Sequence, residues 1–168
     1  DRYFSLMDHW ASWGWIAVSV DSTADNCMPG SRDNIDSRVS KQLAAIEAMR
    51  AFHEDPGSPF FGRVDLSRVV LSGHSRGGGG SIIASGRYEG DLVGIIDFQG
   101  IDTTSFGFGT PQVELPFLGV SASRDVDLDY PYVEPTEAQL RGPYTWLTIQ
   151  GGIHAWTADT VPIEPDDD

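Results

Sequence analysis

The sequence predicts an α/β fold, a mainly parallel sheet with helices on both faces, and three observations carry that prediction. Short apolar, β-branched runs alternate along the chain with stretches of helical period, the pattern of strand–helix–strand crossovers. One such run, Val69-Val70-Leu71, leads into Gly73-His74-Ser75-Arg76-Gly77, and the helix-compatible Ser81-Ile82-Ile83-Ala84 follows. That context of strand, tight turn and helix is what a G-x-S-x-G nucleophile elbow requires. The 168 residues, 40% apolar, suffice for one domain over 1–168 with a modest core.

Taken in order, residues 3–13 place Phe4, Leu6, Met7, Trp10 and Trp13 at helical spacings, and Gly14 is a stop. Residues 15–20 (WIAVSV) read as a buried strand, and 21–32, rich in Ser, Asp, Asn, Pro and Gly, as a long loop. From 33 to 53 runs the longest helical stretch. Ile35, Val39, Leu43, Ile46 and Met49 keep the 3.6-residue period, and Asp36 and Ser37 could cap its start. The elbow strand and helix come next, then a buried strand at 92–98 (LVGIIDF), a loop at 99–112 and a strand at 115–121 (LPFLGVS). An acidic turn from Arg124, a short helix at 134–141 and a last alternating strand at 144–150 (YTWLTIQ) complete the sheet. Gly151-Gly152-Ile153-His154 follows directly, and the tail from Glu164 is solvated. No internal repeat is present.

The charge narrows the partners. Eighteen Asp and seven Glu stand against ten Arg and the single Lys41, a net charge of -14 that repels nucleic acid. Such a surface suits a high-salt habitat, where self-repulsion is screened, or an ordinary acidic exported protein. No apolar run reaches the ~20 residues a membrane span needs, and Asp1-Arg2-Tyr3 is no signal peptide. Cys27 has no second cysteine to pair with in the chain.

The elbow carries the chemistry. At such a turn the serine is held in a strained backbone conformation, and glycines at 73 and 77 are expected because a Cβ at either would clash. The N–H of Arg76, at the start of the following helix, can donate to an oxyanion. A serine hydroxyl needs a base, and the base an orienting acid, in the chain order Ser…Asp…His. Asp125 stands after the 115–121 strand and His154 after the 144–150 strand, so both positions fit. Asp127 and Asp129 rival Asp125. Their D-x-D-x-D spacing lacks the Gly and Glu of a calcium loop, since Tyr130 and Thr136 occupy those positions, so no metal site is expected. His74 is read as pointing away from the serine hydroxyl, and His9 and His53 as structural or surface residues. Trp156 is either a substrate-facing ring or core.

These residues resemble the bacterial polyester-hydrolase and cutinase branch of the α/β-hydrolase superfamily, related to the dienelactone hydrolases. The matching segments are ASWGWIAVSVDS, DSRVSKQLAAIEAM, VDLSRVVLSGHSRGGGGS and GGIHAW, the four-glycine elbow being the most specific. The resemblance implies Ser75 as nucleophile, Asp125 as acid and His154 as base, with no cofactor, an ester as substrate and an extracellular location. Arg76 stands where that branch usually has Met, and the branch's aromatic residue past the next strand is replaced near Gly100-Ile101, which makes Ile101 a candidate substrate contact beside Trp156. The family's first three strands and the loop with its second oxyanion donor have no counterpart. The chain is therefore expected to be the carboxyl-terminal two-thirds of a longer domain, with a gap in the sheet between 15–20 and the elbow strand. Two functions follow: a serine esterase acting on polyester, cutin-like or small acyl esters, or a catalytically weak or inactive fragment or binding module on the same scaffold.

Overall fold

The computed structural model describes residues 3–26, 32–109, 112–125, 136–156 and 158–159. Four strands, β1 (Val69–His74), β2 (Leu92–Phe98), β3 (Phe117–Ala122) and β4 (Tyr144–Ile149), form one sheet in the order β1-β2-β3-β4, every pair parallel. The register Leu71↔Ile95, Ile95↔Phe117 and Phe117↔Tyr144 aligns their carboxyl ends, where a parallel sheet presents its loops. Helix α4 (Arg76–Ser85) makes the crossover from β1 to β2. It buries Ile82 against Ile95 and Phe117, and Ile83 and Ala84 against Leu71.

Beside α4 lies α3 (Arg32–Glu54), whose buried Ile35, Val39, Ile46 and Met49 are the apolar stripe read from the period. Each such side chain contributes roughly 1.5–3 kcal/mol when taken from water. The helix starts earlier than expected, at Arg32, so Asp36 and Ser37 lie inside it rather than at a cap. Ser37 instead donates from Oγ to Asp25 (2.9 Å), which also holds Lys41 Nζ at 2.7 Å. Asp25 belongs to α2 (Thr23–Asn26), one helical turn within the expected loop. Lys41 keeps the Asp25 carboxyl below its usual range, which secures the junction of α2 and α3.

The opposite sheet face receives α1 (Phe4–Ser12), whose Trp10 ring stacks on Phe98 with centroids 6.5 Å apart. Gly14, at φ +89°, ends this helix as expected. Asp159 accepts from the Ser5 N–H (3.1 and 3.2 Å), which ties the chain after His154 to α1.

The strand expected at 15–20 does not form. A strand exists by hydrogen-bonding to a neighbour, and among the described residues nothing pairs with the outer edge of β1. Trp15, Ile16 and Val18 are left 39%, 40% and 48% exposed, Trp15 beneath the Arg68 guanidinium. Of the helix expected over 134–141, the described part is helical at 136–137 and ends there, short of 141. Gln139 N–H donates to Thr136 O, and Leu140 pairs with Val113 as an isolated bridge. No described helix is long and apolar enough to cross a membrane.

Candidate active site

Ser75 joins β1 to α4 at φ 56° and ψ -122°, a left-handed conformation that costs a non-glycine residue on the order of 1–3 kcal/mol. Backbone bonds hold it there. Its N–H donates to Phe98 O (3.0 Å), and its carbonyl accepts from Gly78 N (3.0 Å), Gly79 N (3.2 Å) and Ile101 N (3.3 Å). A Cβ on Gly73 would overlap the Gly77 carbonyl, so strand and helix cross there at backbone contact. The expected clash at Gly77 is absent, for a Cβ there meets nothing within 4 Å. The crowding falls one and two residues later: at Gly78 against the Asp97 carboxyl, and at Gly79 against the Ile101 side chain at 2.7 Å. The N–H of Arg76, first residue of α4, is among the helix-terminal donors that have no intrahelical acceptor.

Asp125 and His154 meet across the turns that follow β3 and β4. His154 Nδ1 lies 2.8 Å from Asp125 Oδ2, with the carboxylate side chain 1% and the imidazole 15% exposed. A carboxylate only accepts, so Nδ1 carries the hydrogen and Nε2 keeps a lone pair. Backbone bonds zip the two turns together: Ser123 N to Ile149 O (3.1 Å) and Arg124 N to Gly152 O (2.9 Å). Ser123 Oγ accepts from Gly151 N–H at 2.8 Å, and Gly151 takes φ +76° to make the bend. Asp127 and Asp129 lie outside the described residues.

His74 links the two halves. Its Nε2 donates to the His154 carbonyl at 2.6 Å, and the two imidazoles are 4.6 Å apart, centroid to centroid. Burial, reinforced by the neighbouring His154, lowers the pKa of His74 to about 4, so the ring is neutral and serves as a donor. Gln99, at φ 49°, adds a second hold, its Nε2 donating to Ile153 O at 3.0 Å. The reading of His74 as directed away from the serine's hydroxyl left this contact out. Nothing in the sequence marks Gln99 either, although both residues stand next to strand ends that carry the site.

Ser75 Oγ makes no hydrogen bond among the described residues. Ile101 faces the core, 5% exposed against Gly79, because its N–H is drawn to the Ser75 carbonyl. That placement corrects its reading as a substrate contact. Trp156 is 54% exposed two residues beyond His154. His53 is structural, with Nδ1 accepting from Val64 N–H at 3.1 Å. Among the described residues no cluster of His, Cys, Asp and Glu has the form of a metal site.

A family model described as PETase, PET hydrolase-like, matches residues 5–149. Two curated relatives, cutinase est1 and cutinase est2 of Thermobifida alba, are each 33% identical over 72 residues. That stretch is 43% of this chain and 21% of each cutinase. The crystal structure of a SOBER1 variant from Arabidopsis thaliana superposes with a TM-score of 0.52 at 16% identity, a likeness of fold alone. The superposition covers 75% of this chain and 59% of that one, and it agrees with an α/β-hydrolase fold.

Proposed function

The chain belongs to the PET hydrolase-like family, and we propose that it is a serine esterase working through Ser75, His154 and Asp125. The observation that carries this reading is the buried 2.8 Å contact of His154 Nδ1 with Asp125, joined to the elbow through His74. With Nδ1–H committed to the carboxylate, His154 Nε2 is the base. It takes the Ser75 Oγ proton as Oγ bonds to the ester carbonyl carbon. The Arg76 N–H donates to the resulting oxyanion, and Asp125 stabilises the imidazolium. Collapse breaks the ester C–O bond, and His154 returns its proton to the leaving alcohol. Water, deprotonated by the same imidazole, then hydrolyses the acyl-enzyme and frees Ser75. Polyester, cutin-like and small acyl esters are the substrate class; the family model supports its polyester member and the cutinase relatives its cutin-like one.

The test is p-nitrophenyl butyrate hydrolysis by the chain and by Ser75→Ala. Loss of the nucleophile should lower kcat by on the order of 10⁶. Activity within about tenfold of the unaltered chain, only ~1.4 kcal/mol of barrier, overturns the assignment. A chain that hydrolyses the ester in neither form fits the second reading, a catalytically weak or inactive fragment or binding module on the same scaffold.

A further inference from the structure

The reaction just described leaves one buried ionisable group unused. Asp97, the penultimate residue of β2, is 1% exposed, and its Oδ1 has no hydrogen-bond partner among the described residues. The carboxyl is wedged between two backbone segments, since a Cβ on either Gly78 or Gly100 would overlap Oδ1. Both segments end on the nucleophile. Gly78 N–H donates to the Ser75 carbonyl, and so does the N–H of Ile101, the residue after Gly100. The residue after Asp97 supplies the carbonyl that receives the Ser75 N–H. Three of the four backbone bonds that hold Ser75 at its strained φ therefore pass through groups that touch or adjoin Asp97.

We infer that Asp97 is a positioning residue for the nucleophile elbow: its carboxyl wedges the Gly78 and Gly100 backbones in place, and a charge on it weakens the site. This inference rests on the esterase reading given above. A negative charge packed on Gly78, two residues after Arg76, opposes the oxyanion that the Arg76 N–H would receive, because like charges in a dry interior repel strongly.

Among the described residues no cation pairs with that carboxyl. Of the elements packed against Asp97, α4 carries Arg76 as its only ionisable residue, at its first position. β1 carries only His74, which by register lies on the opposite sheet face from Asp97. β3 has no ionisable residue, and the turn after β2 holds Asp102, itself an anion. Burial raises the pKa of Asp97 to about 7, against the opposing pull of the Gly100 N–H.

The test pairs kinetics with a spectroscopic titration. The unaltered chain should show kcat for p-nitrophenyl butyrate falling roughly tenfold as pH rises through a midpoint near neutral. Asp97→Asn keeps the shape, cannot ionise, and should replace that fall with a plateau. In the 13C-Asp-labelled chain, the Asp97 carboxyl carbon and the amide signals of Ser75, Gly78 and Gly100 should titrate together. They should do so equally in Ser75→Ala, where hydrolysis is absent. A descending limb that persists in Asp97→Asn overturns the inference, and so do elbow amides that ignore the Asp97 titration. Failure of the esterase reading is a different result, full activity in Ser75→Ala. Should Asp97→Asn not fold, the titration of the unaltered chain still decides.

Discussion

The two halves of the candidate site are built by different means. The nucleophile half is a backbone construction: Ser75 is held by four main-chain hydrogen bonds, and glycines at 73, 78 and 79 let three segments approach to contact. The acid–base half sits on two turns joined by backbone bonds, but residues 153–154 are oriented by side chains, with Asp125, His74 and Gln99 bonding to the ring or carbonyls there. A backbone device needs particular residues at fixed spacing. A side-chain device needs only donors and acceptors that the fold brings together from anywhere. The first kind is rigid and intolerant of added atoms. The second can lose one bond and keep its shape.

That contrast can be sharpened by substitution, and the largest effect falls on the orienting acid. Asp125→Asn should lower kcat by ~10³ to 10⁴, because the amide no longer fixes the His154 tautomer. Its melting temperature should move little. If the loss is below tenfold, the acid is Asp127 or Asp129 and the turn has been read two or four residues short.

A second effect separates the halves by pH. Asp97 has its pKa raised from 3.8 to about 7 in the fold, so the folded state binds more protons than the unfolded one between those values. Stability from this group is therefore full below about pH 4, declines as pH rises, and is lost above about pH 7. The shift corresponds to about 4 kcal/mol. Urea unfolding at pH 5 and pH 8 should show Asp97→Asn gaining on the unaltered chain at the higher pH. An equal difference at both would mean the carboxyl is already ionised in the fold.

Third comes the backbone crossing. Gly73→Ala forces a methyl group into the Gly77 carbonyl and should destabilise by about 3 kcal/mol, with activity lost alongside. Gly77→Ala, where a Cβ meets open space, should unfold within about 1 kcal/mol of the unaltered chain. Similar melting of the two variants would contradict the crossing described.

The smallest effect is expected at the side-chain clasp. Gln99→Leu removes the bond to Ile153 O and should cost about 10- to 100-fold in kcat, since His154 keeps its other two holds. A loss as large as that of Asp125→Asn would mean the clasp is as indispensable as the acid.

The same division explains what could be read in advance. The elbow, three of its following strands and the α3 stripe follow from periodicity and glycine spacing, which act locally and leave a mark in sequence. The roles of His74, Gln99 and Asp97 do not. Each depends on which face of a strand end meets a turn some 50 to 80 residues away or a helix crossing behind it, as with His74 and His154, which stand 80 residues apart in the chain. The 15–20 segment failed for a related reason, because an apolar run becomes a strand only where a neighbour completes its ladder. Ile101 was misplaced because its backbone, not its side chain, serves the elbow.

The central question is whether Ser75 is a nucleophile activated by the His154–Asp125 pair. A fluorophosphonate probe, followed by peptide mass mapping and a rate of labelling, measures both parts at once. The adduct should sit on Ser75 alone, vanish in Ser75→Ala, and form ~10³-fold more slowly in Asp125→Asn. An adduct on any other residue, or labelling of Ser75 at an unchanged rate in Asp125→Asn, contradicts it.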